Sequence, residues 1–293
     1  MDSAELEIFC AVAREQSVTR AAKLLDRVQS NVTTRLRQLE ETLGVALFLR
    51  DNKRMTLTAE GRQFLGYAER LLALGEEARQ AMRSEAPSGV LRIGTMEAAA
   101  ASRLPKPLAR FHGKWPEVEI DIQTGTTQGL VDALLAHRVD CALVAHPADG
   151  PHKQADMAAL GENLEGVYLF TEKLMLVLPA GHGGARAPAE RPRSLAAFPR
   201  GCTYRQCALD WLAEGSAEAA PLNVIEMASY HAMLACAAAG TAAAIVPQSL
   251  LDLQRDTSEF RTVPVRRAHT FLVRRAGFDT PAYRALLAEL RAA

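Results

Sequence analysis

The run Val18-Thr19-Arg20-Ala21-Ala22-Lys23-Leu24-Leu25-Asp26-Arg27-Val28-Gln29-Ser30-Asn31-Val32-Thr33-Thr34-Arg35-Leu36-Arg37-Gln38-Leu39-Glu40-Glu41-Thr42-Leu43-Gly44 holds two apolar stripes of unequal length. Ala21, Ala22, Leu24 and Leu25 form the first, a short helix. Asp26-Arg27-Val28 is a turn. In the second stripe Val32, Leu36, Leu39 and Leu43 recur at intervals of four, three and four, which places them on one helix face, and Gly44 stands where a helix ends. Upstream, Leu6, Phe9, Val12 and Ala13 predict a further helix that breaks at Gln16-Ser17. The polar face of the third helix carries Gln29, Ser30, Asn31, Thr33, Thr34, Arg35, Arg37 and Gln38. Long amides and arginines make paired hydrogen bonds to base edges, and hydroxyls reach phosphates. A solvated face is the bland alternative. Two short helices, a tight turn and a third polar-faced helix point instead to a helix-turn-helix.

Leu47-Phe48-Leu49-Arg50 and Met55-Thr56-Leu57-Thr58 flank the charged tip Asp51-Asn52-Lys53-Arg54, a pattern that predicts a β-hairpin wing. Its Arg50, Lys53 and Arg54 are candidate phosphate contacts. From Val18 to Arg62 nine basic residues stand against five acidic ones, a modest basic patch. Thr58 occupies a helix-cap position, and a long helix follows from Ala59 to about Ser84. Along it Phe64, Ala68, Leu71, Gly75, Ala78 and Met82 alternate spacings of four and three, a heptad seam suited to pairing with a second copy. The alternative is packing on its own domain. Ala86-Pro87-Ser88-Gly89 then reads as a linker.

Beyond Gly89 strands and helices alternate. Val90–Ile93, Glu117–Thr124, Cys141–Val144, Leu174–Leu178, Gly201–Tyr204, Val224-Ile225, Ala243–Val246 and Thr270–Val273 are predicted strands. Helices are predicted after Thr95, after Thr127, around Leu209-Trp211-Leu212, around Met233-Leu234 and from Tyr283 to Leu290. The pattern predicts an α/β architecture with mostly parallel sheets.

Composition bounds the rest. With 293 residues, 48% hydrophobic and 23% charged, the chain suits two or three folded domains. Lys+Arg and Asp+Glu are 34 each, so net charge names no partner. No apolar run reaches membrane-span length, and the start Met1-Asp2-Ser3-Ala4-Glu5 is acidic, so a cytoplasmic protein is expected. Five cysteines, odd in number and scattered, suit reduced thiols. Nucleophile-elbow, phosphate-loop, dinucleotide and zinc-helix motifs are missing, so no catalytic residues, cofactor or metal are expected.

Several pieces in order resemble the LysR-type transcriptional regulator family: Leu6-Glu7-Ile8-Phe9, Ala21-Ala22-Lys23-Leu24-Leu25, Leu36–Gly44, Leu47-Phe48-Leu49-Arg50 and Leu57-Thr58-Ala59-Glu60-Gly61. The resemblance implies a multidomain α/β protein. A winged helix-turn-helix would span 1–58 and a linker and dimerisation helix 59–87. Two Rossmann-like effector subdomains, of the two-lobed kind that periplasmic binding proteins share, would be built from 88–163 plus 268–293 and from 164–267. It further implies promoter DNA, a small-molecule effector, a dimer or dimer of dimers (a homotetramer), and contact with RNA polymerase. Arg35 and Gln29 are the candidates for base contacts. Since ligands sit beyond the carboxyl ends of strands in open α/β sheets, the effector candidates are Thr95, Met96, Glu97, Thr126, Thr127, His146, Cys202, Thr203, Tyr204, Met227 and Ser229. Helix N-termini there favour a carboxylate.

Two departures qualify this. Val28-Gln29-Ser30-Asn31-Val32-Thr33 replaces the family's usual serine-capped helix start. Ala98 stands where many members carry a hydroxyl, and Glu97 beside it favours an amine. Two alternatives stay open: thiol redox sensing through Cys202 and Cys207, five apart with Arg205 between them, and a two-lobed binding protein without DNA function.

Overall fold

The computed structural model describes residues 1–51, 54–82, 86–148, 163–179, 181–182, 192–214, 222–255 and 260–292. The chain divides into two compact units, essentially residues 1–83 and 84–293.

In the first unit α1 (Ser3–Glu15) opens with a reciprocal cap: Asp2 accepts from the Glu5 N–H at 2.8 Å, and the Glu5 carboxylate accepts from the Asp2 N–H at 2.9 Å. α2 (Val18–Leu24) is capped by Ser17. α3 (Gln29–Leu43) starts after Val28, whose side chain offers no cap, and closes at Gly44. The missing serine therefore leaves the helix start in place but without a side-chain acceptor for its orphan N–H groups. β1 (Phe48–Asp51) and β2 (Arg54–Leu57) pair antiparallel from Phe48↔Leu57 to Asp51↔Arg54. Two contacts seat this hairpin: the Glu40 carboxylate accepts from the N–H groups of Leu47 (2.8 Å) and Phe48 (3.2 Å), and the Met55 N–H donates to the Gln16 carbonyl.

α4 (Ala59–Ala81) is capped by Thr58, whose hydroxyl accepts from the Gly61 N–H at 2.8 Å. Phe9 is fully buried between Phe48 and Phe64, with ring centroids at 5.4 and 5.1 Å. Ile8, Val12, Ala21, Val32, Leu36, Leu39 and Leu47 join this core, whereas Leu24 of the first stripe is exposed.

The second unit runs β3 (Gly89–Thr95), α5 (Glu97–Ser102), α6 (Pro105–Lys114), β4 (Val118–Thr124), α7 (Thr127–Leu135), β5 (Cys141–Pro147), β6 (Leu164–Pro179), β7 (Ser194–Ala197), α8 (Thr203–Ala213), β8 (Asn223–Glu226), α9 (Tyr230–Ala238), β9 (Ala243–Pro247), α10 (Gln248–Leu251), β10 (Phe260–Arg275) and α11 (Pro281–Arg291). Strand order is β4-β3-β5-β10-β6-β9-β7-β8. β3 pairs parallel with β4 and β5, and β7 with β8 and β9. β10 runs antiparallel to β5 and β6, and β6 to β9.

Three expectations need correction. The sheet is mixed rather than mostly parallel, because β6 and β10 pair antiparallel over their whole sixteen-residue lengths and carry the chain between the two lobes. Each was expected as a strand of four or five residues. Gly201–Tyr204 is no strand: Gly201 turns with a positive φ of 88°, Cys202 caps α8, and the strand nearby is β7. The long helix ends at Ala81 within the described residues, and 83–85 lie outside them.

Candidate functional site

Two sites follow, one in each unit. On α3 the buried stripe Val32, Leu36 and Leu39 turns the other face outward. Gln29, Ser30, Asn31, Thr34 and Arg37 are exposed, and Thr33 is half-buried with its hydroxyl donating to the Gln29 carbonyl at 3.0 Å. Arg35 is placed differently. Its Nη1 lies 3.1 Å from Asp2 and 3.8 Å from the buried Glu5 carboxylate, so it straps α3 to the start of α1. The same contact and the Glu5 N–H hold the Asp2 carboxyl below its usual pKa, the backbone hydrogen bond being the larger cause.

In the wing, Arg54 is exposed and Arg50 lies on β1, while Lys53 lies outside the described residues. Of the six seam positions on α4, Ala68 is fully buried against the first unit's core and Phe64 packs edge-on to Phe9. Leu71, Ala78 and Met82 are exposed, Gly75 is half-buried, and Tyr67 and Leu74 extend the outward apolar stripe.

The second site is a cleft at the carboxyl ends of strands, where the loops after β3, β4, β7 and β8 meet. Met96 and Glu97 open α5, Thr126 and Thr127 open α7, and Cys202 and Tyr204 flank the start of α8. All six line the cleft, together with Gly125, Phe198 and Tyr230. The last three had not been singled out. Tyr230 follows Ser229, whose hydroxyl caps α9, and Phe198 follows β7, whose Ser-Leu-Ala-Ala composition carries little strand signal.

The remaining candidates support the walls. Thr95 is buried and donates to the Met96 carbonyl, and His146 Nδ1 sits 2.9 Å from the Pro147 carbonyl. Met227 meets Cys236 through sulfur at 4.0 Å, and Ser229 is the α9 cap. Thr203 bridges the lobes: its hydroxyl donates to the Ala145 carbonyl at 2.9 Å and lies 3.0 Å from the Thr127 hydroxyl. Beside it the Gln128 N–H donates to the Gly201 carbonyl at 3.1 Å. With these contacts made the cavity is about 10 Å³, the scale of one water molecule. These contacts draw the two sides of the cleft together.

Burial pushes the Cys202 thiol above its usual pKa although the Arg205 and Tyr204 N–H groups oppose the shift, and Cys207 is buried. Cys207 lies five residues further on, inside α8. Among the described residues no cluster of three or more His, Cys, Asp or Glu side chains is placed to hold a metal ion.

Comparison with known proteins places both units. A family described as "Bacterial regulatory helix-turn-helix protein, lysR family" matches residues 3–62, and "LysR substrate binding domain" matches 84–293. The chain is 33% identical over 293 residues to the uncharacterized HTH-type transcriptional regulator YusT of Bacillus subtilis (strain 168), covering 98% of this chain and 94% of the relative. It is 36% identical to the HTH-type transcriptional regulator YofA of the same strain, covering 89% and 85%. Full-length CbnR, solved in complex with its target DNA, superposes with a TM-score of 0.68 at 22% identity over 100% of this chain and 99% of that one, a likeness of fold. Both units and nearly the whole length are accounted for, and the protein belongs to the LysR family, as a DNA-binding transcriptional regulator with a C-terminal effector-binding domain.

Proposed function

We propose that the protein is an effector-gated regulator that binds dyad-symmetric promoter DNA as a dimer, and as a dimer of dimers on longer sites. The observation that carries this reading is the outward polar face of α3, the third helix of the helix-turn-helix, backed by a buried apolar core. Gln29 and Asn31 read base edges. Ser30, Thr33, Thr34, Arg37, Arg50, Lys53 and Arg54 hold the backbone. Arg35 acts as a positioning residue, because its guanidinium is engaged by Asp2 and Glu5. The binding unit spans 1–58, the linker and pairing helix 59–87, and the two effector lobes 88–163 plus 268–293 and 164–267. The protein works in the cytoplasm, performs no catalysis, and signals to RNA polymerase through the spacing of its DNA-bound pairs.

Genome-wide DNA capture at fixed salt tests this. Wild type is expected to enrich a dyad-symmetric site. Gln29→Ala is expected to relax preference at one base position, by about 1–3 kcal/mol. Arg35→Ala should weaken binding to every sequence alike and lower the first unit's stability, without changing preference. Capture without sequence preference, with or without cell extract, would overturn the reading.

Pairing has its own test. Tyr67, Leu71 and Leu74 are about half exposed and Met82 is 85% exposed, an apolar stripe along α4. Leu74→Glu is expected to shift the protein to monomers in sedimentation and to lower dyad-site affinity at least tenfold, roughly the cost of one lost apolar anchor.

A further inference from the structure

Among the described residues lining the cleft, Glu97 alone is charged. One oxygen of its carboxylate accepts from the Tyr230 backbone N–H, and the other, Oε2, is buried with no hydrogen-bond partner. Leaving such an oxygen unmatched in an apolar setting is costly, and a positively charged donor is its best remedy. Two arginines of the unit are held by other carboxylates. Arg103 Nε lies 2.7 Å from Glu172, and Arg205 Nη1 lies 2.5 Å from Glu226 and 3.2 Å from the Phe198 carbonyl. His231, the next residue on α9, is exposed and acts on Glu97 only through its charge. Burial raises the Glu97 pKa in spite of these two favourable influences, as expected for a carboxylate lacking a full partner set.

Next to this carboxylate stands an aromatic wall. The Phe198 and Tyr230 rings lie 4.9 Å apart at 59°, and Tyr204 joins them in the lining. Ring faces attract cations, and their edges pack against an apolar body. A carboxylate effector would meet Glu97 with no lining cation to hold it.

We propose that the cleft selects a small protonated amine carried on an apolar or aromatic body, whose N–H groups donate to Glu97 Oε2 while the body lies against Phe198 and Tyr230. The proposal rests on the reading of this cleft as the effector site. Its entry requires the lobes to part, because the closed cleft has room for little more than a water. The amine thereby couples its own recognition to lobe movement.

Calorimetric titration of the full-length protein with benzylammonium, benzyl alcohol and benzoate, probes of one shape and three charges, tests the proposal. Wild type is expected to bind benzylammonium at low millimolar concentration or below, and the other two at least about tenfold more weakly. Glu97→Gln keeps the shape and removes the charge. It should weaken benzylammonium about ten- to a hundredfold and leave benzyl alcohol unchanged, with no loss of melting temperature. Thr126→Trp, which fills the cleft, should abolish binding of every probe. Preference for benzoate, benzylammonium affinity insensitive to Glu97→Gln, or no binding of benzylammonium overturns the amine proposal. If Thr126→Trp still blocks the probes, the effector-site reading survives that failure. Binding that ignores Thr126→Trp overturns the effector-site reading itself.

Discussion

Gly61→Ala is expected to destabilise the DNA-binding unit by about 3 kcal/mol and to weaken specific DNA binding. A Cβ at this position lies 2.1 Å from the Leu47 carbonyl oxygen, 3.0 Å from its carbon and 3.1 Å from Leu57 Cδ2. The two Leu47 backbone atoms cannot step aside cheaply. The Leu47 carbonyl accepts from the Thr58 N–H at 3.0 Å, and the Leu47 N–H is held by Glu40. The start of α4 must therefore lift from the hairpin. The Thr58 cap then loses its contact with the Gly61 N–H, and Phe64 is pulled away from Phe9. Overpacking of rigid backbone costs about 3 kcal/mol or more. That is a large share of the roughly 4–12 kcal/mol a unit of this size has in hand. Gly66→Ala on the same helix is the control: nothing lies within 4 Å of its Cβ, so it should gain up to about 1 kcal/mol. Urea unfolding followed by helical circular dichroism, together with binding to the captured site, separates the two. Wild-type stability in Gly61→Ala would mean that the seat of α4 on the hairpin is not a structural requirement.

The close approach at Gly61 also shows what is legible in a sequence and what is not. Helices α1 to α4 announce themselves because their signals are local: stripes of period 3.6, caps at Ser17 and Thr58, and a closing Gly44. The ion pairs of Arg35 were not legible, for a non-local reason. Its polarity and helix face suit DNA, but its partners Asp2 and Glu5 lie about thirty residues upstream, and no spacing rule links them.

The length of β6 and β10 was hidden in the same way. Phe260-Arg261-Thr262-Val263-Pro264-Val265-Arg266-Arg267 contains a proline and three arginines, weak as an isolated strand. It is extended because it pairs with Lys173–Pro179, some eighty residues earlier. At the cleft, the strand-end rule found six of the nine lining residues. It does not reach Phe198, because β7 carries little strand signal, or Tyr230, which lies one residue past the capping Ser229.

Gly201→Ala is expected to release the two effector lobes and uncouple them from the ligand. Gly201 has a φ of 88°, where a side chain costs about 1–2 kcal/mol, and its added Cβ would sit 2.8 Å from Gln128 Cβ and 3.3 Å from Thr126 Oγ1. Gln128 Cβ is fixed to the first turn of α7, so the conflict can be relieved only by separating α7 from the Gly201 turn. That separation breaks the bond from the Gln128 N–H to the Gly201 carbonyl and strains the adjoining Thr203 bridge to Ala145 and Thr127. Strain and contact together disfavour the closed cleft by about 3 kcal/mol, a shift of roughly a hundredfold toward the open state.

Hydrogen exchange reads this directly. The Gln128 amide should exchange about a hundredfold faster, whereas amides in the middle of β3 and β5 keep their protection. Gly240→Ala isolates the backbone contribution, since it shares a positive φ of 74° but has nothing within 4 Å of its Cβ. It should leave Gln128 unaffected. If closure is what the effector works against, Gly201→Ala should also bind DNA in the effector-bound pattern without effector, and its response to added ligand should vanish. Faster exchange at Gln128 with an intact ligand response would place the regulatory movement elsewhere in the unit. Unchanged exchange would show that the contact between α7 and the Gly201 turn does not hold the lobes at all.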